Sequence, residues 1–296
     1  MIEIVCNRVE KRFRSKNALN KLSCSIEGEK IIGLIGSNGA GKSTWLKLLA
    51  GHLKPTDGEI RLLGENPFNN LKIATNLILI EDTMTFPPFF NLGELFKMAS
   101  DFYPNWQGAL AERLLVYAEI PLNSYHHHLS KGQVSTFNLI YGLATRCAIT
   151  LLDEPMNGMD EGIRTDMYRA ILKEYIAYPR TLIISSHHLK EIEHLLEEIM
   201  LIDEGEVVLH LPLEDVKQMM VRLQGDVNEI KEMTNYQDVL YERQDAINYE
   251  AIIERNKIDR SYTQQTAVQM QSVSASEVCK FLTTKQKGGI DDVFKS

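Results

Sequence analysis

Residues 36–44, GSNGAGKST, concentrate three glycines, one lysine and three hydroxyl side chains into a single short stretch. Glycines allow successive backbone N–H groups to point inward, and a helix that follows adds its positive end, so such a loop surrounds a polyphosphate with donors. The spacing Gly36-x-x-x-x-Gly41-Lys42-Ser43 fits the phosphate-loop pattern. It makes Gly36, Ser37, Asn38, Gly39, Ala40, Gly41, Lys42, Ser43 and Thr44 the candidate cradle of a nucleoside triphosphate. Lys42 is expected on the β- and γ-phosphates and Ser43 on a magnesium ion.

Such chemistry also needs carboxylates, and ITLLDEP at 149–155 supplies two at the end of an apolar run. Carboxyl ends of buried strands form the crevice where open α/β sheets bind ligands. Asp153 is expected to hold magnesium, directly or through water, and Glu154 to polarise the attacking water. A third apolar run, TLIIS at 181–185, is followed by Ser186, His187 and His188, and one histidine at a strand's carboxyl end could donate a hydrogen bond to a terminal phosphate.

These groups require positioning elements. The run at 31–35 before the loop has the length of a buried strand, and a second strand is expected over 148–152. After the loop Trp45, Leu46, Leu48 and Leu49 recur at helical spacing, and Gly51 offers a stop. In HLSKGQVSTFNLIYGLA, Ser130 and Gln133 form a capping box, followed by the apolar face Val134, Phe137 and Tyr141. Gly132 at this helix start makes a second anion-accepting helix end.

Taken together, the ordered motifs resemble the ATP-binding subunit of an ABC transporter. GSNGAGKST resembles the Walker A loop, LSKGQ the signature, ITLLDEP Walker B, NGMD the D-loop, and SSHHLKEIE the switch-histidine segment, with the switch on His187. The resemblance implies an α/β P-loop NTPase cassette: a mixed sheet core, an antiparallel β subdomain and a helical signature subdomain at about 82–145, within a domain over 1–213. It also implies that Phe13 stacks on adenine, that Asp160 of the D-loop contributes to the ATP site, and that ATP and Mg2+ are the ligands. Two cassettes would meet head to tail, so that Ser130, Gly132 and Gln133 serve the partner's nucleotide. Three positions depart from the family pattern: Glu81 replaces the Q-loop glutamine, Lys131 the third signature residue, and Thr136 a common arginine. Glu81 remains a candidate for magnesium or water, and Lys131 is expected at an ordinary helix start. The set predicts an active ATPase.

Residues 86–106 are the most aromatic part of the chain; the resemblance implies that they lead into the subdomain that receives the membrane partner, so their rings are expected to divide between that subdomain's own core and a docking groove. The run His126, His127 and His128 cannot converge on one ion. Residues 199–210, IMLIDEGEVVLH, read as a hairpin around Asp203-Glu204-Gly205. From 214 to 296 a helix, a strand over 266–274 and a capping box of Ser274 with Glu277 predict a small α+β extension. The ending GGIDDVFKS resembles the termini of drug- and peptide-exporter cassettes, whose extensions pack near the dimer mate.

A net charge of −8 argues against a protein that coats nucleic acid. No apolar run approaches the ~18 residues that span a bilayer, and the N-terminus lacks a signal-peptide core. Four scattered cysteines suit a reducing compartment. The expected location is cytoplasmic, peripheral on the inner membrane face through an ABC-2 type permease, with a second ATP-binding subunit and an exporter's role for drugs or amphipathic peptides. Two rival classes stay open: a soluble cassette acting on ribosomes or DNA, and a weakly active regulatory half of a heterodimer.

Overall fold

The computed structural model describes residues 3–14, 16–187, 189–234, 238–244, 249–258 and 268–283. His188, residues 266–267 of the expected strand, and GGIDDVFKS lie outside them. Two compact units divide the chain, Met1–His210 and Leu211–Ser296.

The first unit opens with β1 (Glu3–Phe13) and β2 (Lys16–Glu27), followed by β3 (Ile31–Ile35) and α1 (Lys42–Leu49). Then come β4 (Asp57–Leu62), α2 (Leu71–Ala74) and β5 (Leu77–Glu81). Helices α3 (Leu92–Phe102), α4 (Gly108–Tyr117) and α5 (Lys131–Thr145) precede β6 (Ile149–Asp153) and α6 (Glu161–Ala177). The unit closes with β7 (Thr181–Ser185), α7 (Leu189–Ile192), β8 (Glu198–Asp203) and β9 (Glu206–Pro212), the last reaching just past its boundary.

Two sheets result, one antiparallel in the order β2-β1-β4 and one mixed in the order β5-β6-β7-β3-β8-β9. Strands β5, β6, β7, β3 and β8 run parallel and are almost wholly apolar, as strands covered on both faces must be. Strands β8 and β9 are joined through Glu204 and Gly205, both at positive φ, the backbone of a tight hairpin turn. Trp45, fully buried, shares one core with Ile4, Leu22 and Ile60 of the antiparallel sheet and Leu34, Leu151 and Ile183 of the mixed one. Removing so large a ring costs about 3–5 kcal/mol. Helix α1 is thereby pinned, and with it the loop that leads into it.

The strand expected over 148–152 is displaced by one residue, so that Asp153 is its last member rather than the first residue beyond it. The aromatic stretch divides. Phe86, Phe96 and Trp106 pack with Phe137 and Tyr141, Phe96 lying parallel to Phe137 at 5.8 Å. Phe89 and Phe102 face outward, 69% and 42% exposed. His126 is buried against Phe86, its Nε2 2.9 Å from Asn138 Oδ1, so it serves the packing of the helical layer. Among the described residues no cluster of His, Cys, Asp and Glu could hold a metal, and no helix is long and apolar enough to cross a membrane.

The second unit holds α8 (Leu213–Met219), β10 (Met220–Gly225), α9 (Val227–Met233), β11 (Val239–Gln244), β12 (Tyr249–Glu254), β13 (Gln269–Ser272) and α10 (Ala275–Thr283). Its antiparallel sheet runs β11-β12-β10-β13 over a core of Val221, Leu223, Ile230 and Ile253. Ser274 and Glu277 cap α10 reciprocally.

Candidate functional site

The phosphate loop leaves β3 and turns into α1 at Gly41, whose φ is 114°. A Cβ there would stand 2.6 Å from the Ala18 carbonyl, so only glycine fits. Gly39 takes φ 85°, and the Ala40 amide closes the turn on Ser37 O at 3.1 Å. The β8–β9 turn braces the loop from outside: the Gly205 amide donates to Ala40 O at 2.9 Å, and its carbonyl accepts from the Asn20 amide. Lys42, 6% exposed, donates from Nζ to Gly36 O at 2.6 Å and Ser37 O at 3.2 Å. Burial pulls its pKa down, opposed by the charges of Glu154 and Asp153.

A cleft of about 260 Å3 opens over this loop, lined by Phe13, Lys16, Lys42, Ser43, Asp153 and Glu154 among others. Phe13 is 46% exposed and lies within 5.1 Å of Lys11 Nζ, an aromatic platform beside a cation. The donor set of Ser43 and the buried Asp153 is all oxygen, which suits magnesium.

Parallel register places three polar residues in one row at the carboxyl edge of the sheet, Glu81 beside Asp153 and Asp153 beside Ser185. Ser185 Oγ donates to Asp153 Oδ1 and accepts the Glu154 amide at 3.0 Å, locking both acids to the neighbouring strand. Glu154 sits at φ 49°, rare for a residue with a side chain and a recurring feature of functional sites. Its Oε2 lies 2.8 Å from His187 Nδ1. Glu81 behaves differently. Its carboxylate is ion-paired to Lys47 Nζ of α1 at 2.8 Å and does not line the cleft.

The second helix end is built on another face. Ser130 Oγ accepts the Gln133 amide at 3.3 Å, and Gln133 Oε1 accepts the Ser130 amide at 3.0 Å. Lys131 begins α5, and its side-chain stem crosses Gly158, where a Cβ would stand 2.9 Å from Lys131 Cγ. A Cβ on Gly132 would reach 2.7 Å from Gly158 O, so signature and D-loop are in close contact. Ser135 Oγ adds a bond to Asn157 O at 2.6 Å. Thr136 turns its hydroxyl to Gly132 O at 2.8 Å. Asp160 accepts the Ile163 amide at 3.0 Å as the cap of α6, and lines the same depression as Ser130, Gly132 and Gln133. None of these four lines the phosphate-loop cleft of their own chain.

Sequence reasoning missed Ser185, Lys47 and Gly205 as site residues. Ser185 carried a signal in its place at a strand's carboxyl end. The other two act across elements that only the folded chain brings together.

A family model described as "ABC transporter" matches residues 19–157. The chain is 27% identical to the "ABC transporter ATP-binding protein YtrB" of Bacillus subtilis, over 76% of either chain. It is 31% identical to the "Bacitracin transport ATP-binding protein BcrA" of Bacillus licheniformis, over 70% of this chain and 69% of that one. It is 28% identical to the "Aliphatic sulfonates import ATP-binding protein SsuB 3" of Pseudomonas savastanoi pv. phaseolicola, over 75% and 80%. A solved "ATP binding subunit of ABC transporter" superposes with a TM-score of 0.65 at 22% identity, over 73% of this chain and 92% of that one. By these relations and the fold that carries the site, the chain belongs to the ABC transporter family, as an ATP-binding and ATP-hydrolysing cassette.

Proposed function

We propose that this chain powers an exporter by cutting ATP held between two cassettes, with Glu154 and His187 as the hydrolytic pair. The observation that carries the reading is the Glu154–His187 contact of 2.8 Å at the rim of a cleft floored by Lys42 and Asp153. Phe13 offers a face for adenine, and the loop amides and Lys42 receive the phosphates. Lys42 exchanges its two carbonyl partners for phosphate oxygens, a gain for a buried cation. Glu154 accepts the proton of the attacking water, and an imidazolium at His187 would donate Nδ1–H to that carboxylate and Nε2–H toward the terminal phosphate. Ser43 and Asp153 would hold Mg2+, which supplies neutralisation of phosphate charge when bound. Glu81 is assigned a supporting role, its charge already balanced by Lys47.

Ser130, Gly132, Gln133 and Asp160 face away from their own cleft, which supports their use on a second chain's nucleotide. ATP then favours the closed pair by binding it more tightly than the open one, and hydrolysis releases it. A separate membrane subunit of the ABC-2 type receives that motion, and the exposed Phe89 and Phe102 fit an apolar contact with it. This subunit would hold the chain at the inner membrane face. Export of a drug or amphipathic peptide is favoured by the likeness to the bacitracin transport protein.

Phosphate release by the purified chain tests the hydrolytic part. Full activity in Glu154→Gln and His187→Ala would refute the assigned pair. For direction, inside-out vesicles carrying the chain with its membrane subunit are expected to accumulate an amphipathic peptide antibiotic when given ATP. Accumulation only in right-side-out vesicles would overturn the exporter reading.

A further inference from the structure

Beside Glu154 lies a half-open pocket that the hydrolytic reading leaves unexplained. Its walls are the D-loop residues Asn157 and Gly158 on one side and Glu191 of α7 on the other, with Arg164 and Tyr168 of α6 between them. Arg164 spans the gap. Its Nη1 donates to both Glu191 carboxylate oxygens, at 3.3 and 3.2 Å, and its Nη2 donates to the Met159 carbonyl at 3.1 Å. The Tyr168 hydroxyl adds a third bond to Glu191, at 3.3 Å. Burial, together with the Glu191 charge, raises the Tyr168 pKa, which keeps the phenol protonated as a donor.

Met159 adjoins Asp160, the cap of α6, in the D-loop that packs on Gly132 and Lys131 of the signature. Glu191 lies in α7, four residues beyond His187 in the chain. A single guanidinium thus ties the loop touching the signature to the segment carrying the histidine. Arg164 Nε is buried without a partner, an uncompensated desolvation, so the fork is set by Glu191 and Met159 rather than by its own best solvation. The pair is about one-third exposed at each end, so Coulomb attraction alone contributes little, and the division of the guanidinium between the Glu191 carboxylate and the Met159 carbonyl is what fixes position.

We propose that Arg164 is a positioning residue that joins D-loop and switch segment through Met159 and Glu191 and so holds His187 against Glu154. A partner cassette that presses on the D-loop would thereby change the geometry of the hydrolytic pair. The inference rests on the Glu154–His187 reading and adds the residue that aligns it. Lysine cannot replace it, because an ammonium lacks the planar fork that serves carboxylate and carbonyl together.

The test uses the purified full chain and three measurements on each variant: kcat for ATP, affinity for a fluorescent ATP analogue, and melting temperature. Arg164→Lys, Arg164→Met and Glu191→Gln are each expected to lower kcat about tenfold, the scale of a small misalignment of reacting groups, with nucleotide affinity within about twofold of the parent. Combining Arg164→Met with Glu191→Gln is expected to cost no more than the worse single change. A side chain that only supports the fold would lower melting temperature and affinity together. The inference is overturned if kcat stays within about twofold of the parent, if affinity falls in step with kcat, or if the double variant multiplies the two losses. Should Arg164→Met melt below the assay temperature, Arg164→Lys and Glu191→Gln decide alone. Glu154→Gln and His187→Ala separate the two failures. If they keep turnover, the hydrolytic reading itself fails; if they lose it while the Arg164 variants do not, this inference alone fails.

Discussion

The start of α1 and the start of α5 are both helix N-termini with free amides, yet they are built in opposite ways. At α1 the amides are enclosed: glycines at positive φ, a buried lysine and two nearby acids make a site that has its own chemistry. At α5 the end is capped by Ser130 and Gln133, opens to a depression whose acids are Glu119 and the helix cap Asp160, and among the described residues has no buried lysine. What it has instead is a rigid seat, because Gly132, Lys131 and Ser135 all rest on the D-loop. Under the proposed function, the contrast casts the first as a reaction site that lacks a lid and the second as the lid that a neighbouring chain would supply.

The comparison breaks most sharply at Glu154. Glu154→Gln is expected to reduce phosphate release by roughly 10²–10⁴-fold while ATP binding persists, because only the proton acceptor is removed. If instead binding is lost and residual turnover per bound ATP is unchanged, the first end is merely a binding site and the contrast fails.

Next in size is Gly132→Ala. The added methyl meets Gly158 O at 2.7 Å, so signature and D-loop must separate. Turnover is expected to drop about tenfold with nucleotide binding by the isolated chain intact, as befits a part that acts only on a neighbour. Mixing Gly132→Ala chains with Lys42→Ala chains sharpens this. A mixed pair contains one fully intact interface, so an equal mixture should recover about a quarter of parental activity if chains pair at random. No recovery would mean that the two ends work within one chain.

Smaller still is Ser130→Ala, which deletes one half of a capping box whose bonds are 3.3 and 3.0 Å. A loss of about 1 kcal/mol in unfolding free energy is expected, read from the urea midpoint at constant slope. An equivalent loss is not expected at α1, where Gly41 makes no side-chain cap bond.

How much of this was legible differs between the two ends for a physical reason. Strand, glycine loop and helix at 31–49 are contiguous, so composition and spacing state the site outright, and the capping box at 130–133 is equally local. Ser185 is not local. Its bond to Asp153 spans 32 residues and depends on the register of β6 against β7, which no short window contains. The resemblance to the Q-loop puts Glu81 near magnesium or water, but its carboxylate meets Lys47, a residue on a helix 34 positions earlier. The Arg164–Glu191 fork likewise exists only because α6 and α7 converge behind the sheet edge. Sequence announces chemistry, and register decides which side chains hold it still.

The last test asks whether the layer carrying α5 has an electrostatic weakness that the layer around α1 lacks. His126 is 8% exposed between Phe86 and Phe137, with its Nε2 against Asn138 Oδ1. Burial lowers its pKa, the hydrogen bond to Asn138 opposes that, and His127 adds a further lowering. In the unfolded chain the imidazole takes its proton near pH 6.5. In the folded chain it does so only at lower pH, so between those two points the unfolded state binds more protons. Stability is therefore fully present above pH 6.5, declines as pH falls through the window, and levels off once both states are protonated. His126→Gln keeps a donor for Asn138 but cannot titrate, so its urea midpoint is expected to change less between pH 7.5 and pH 5.5 than the parent's. Equal changes in parent and variant would show that other groups set the acid response, and that the signature-bearing layer is no more acid-sensitive than the layer holding the phosphate loop.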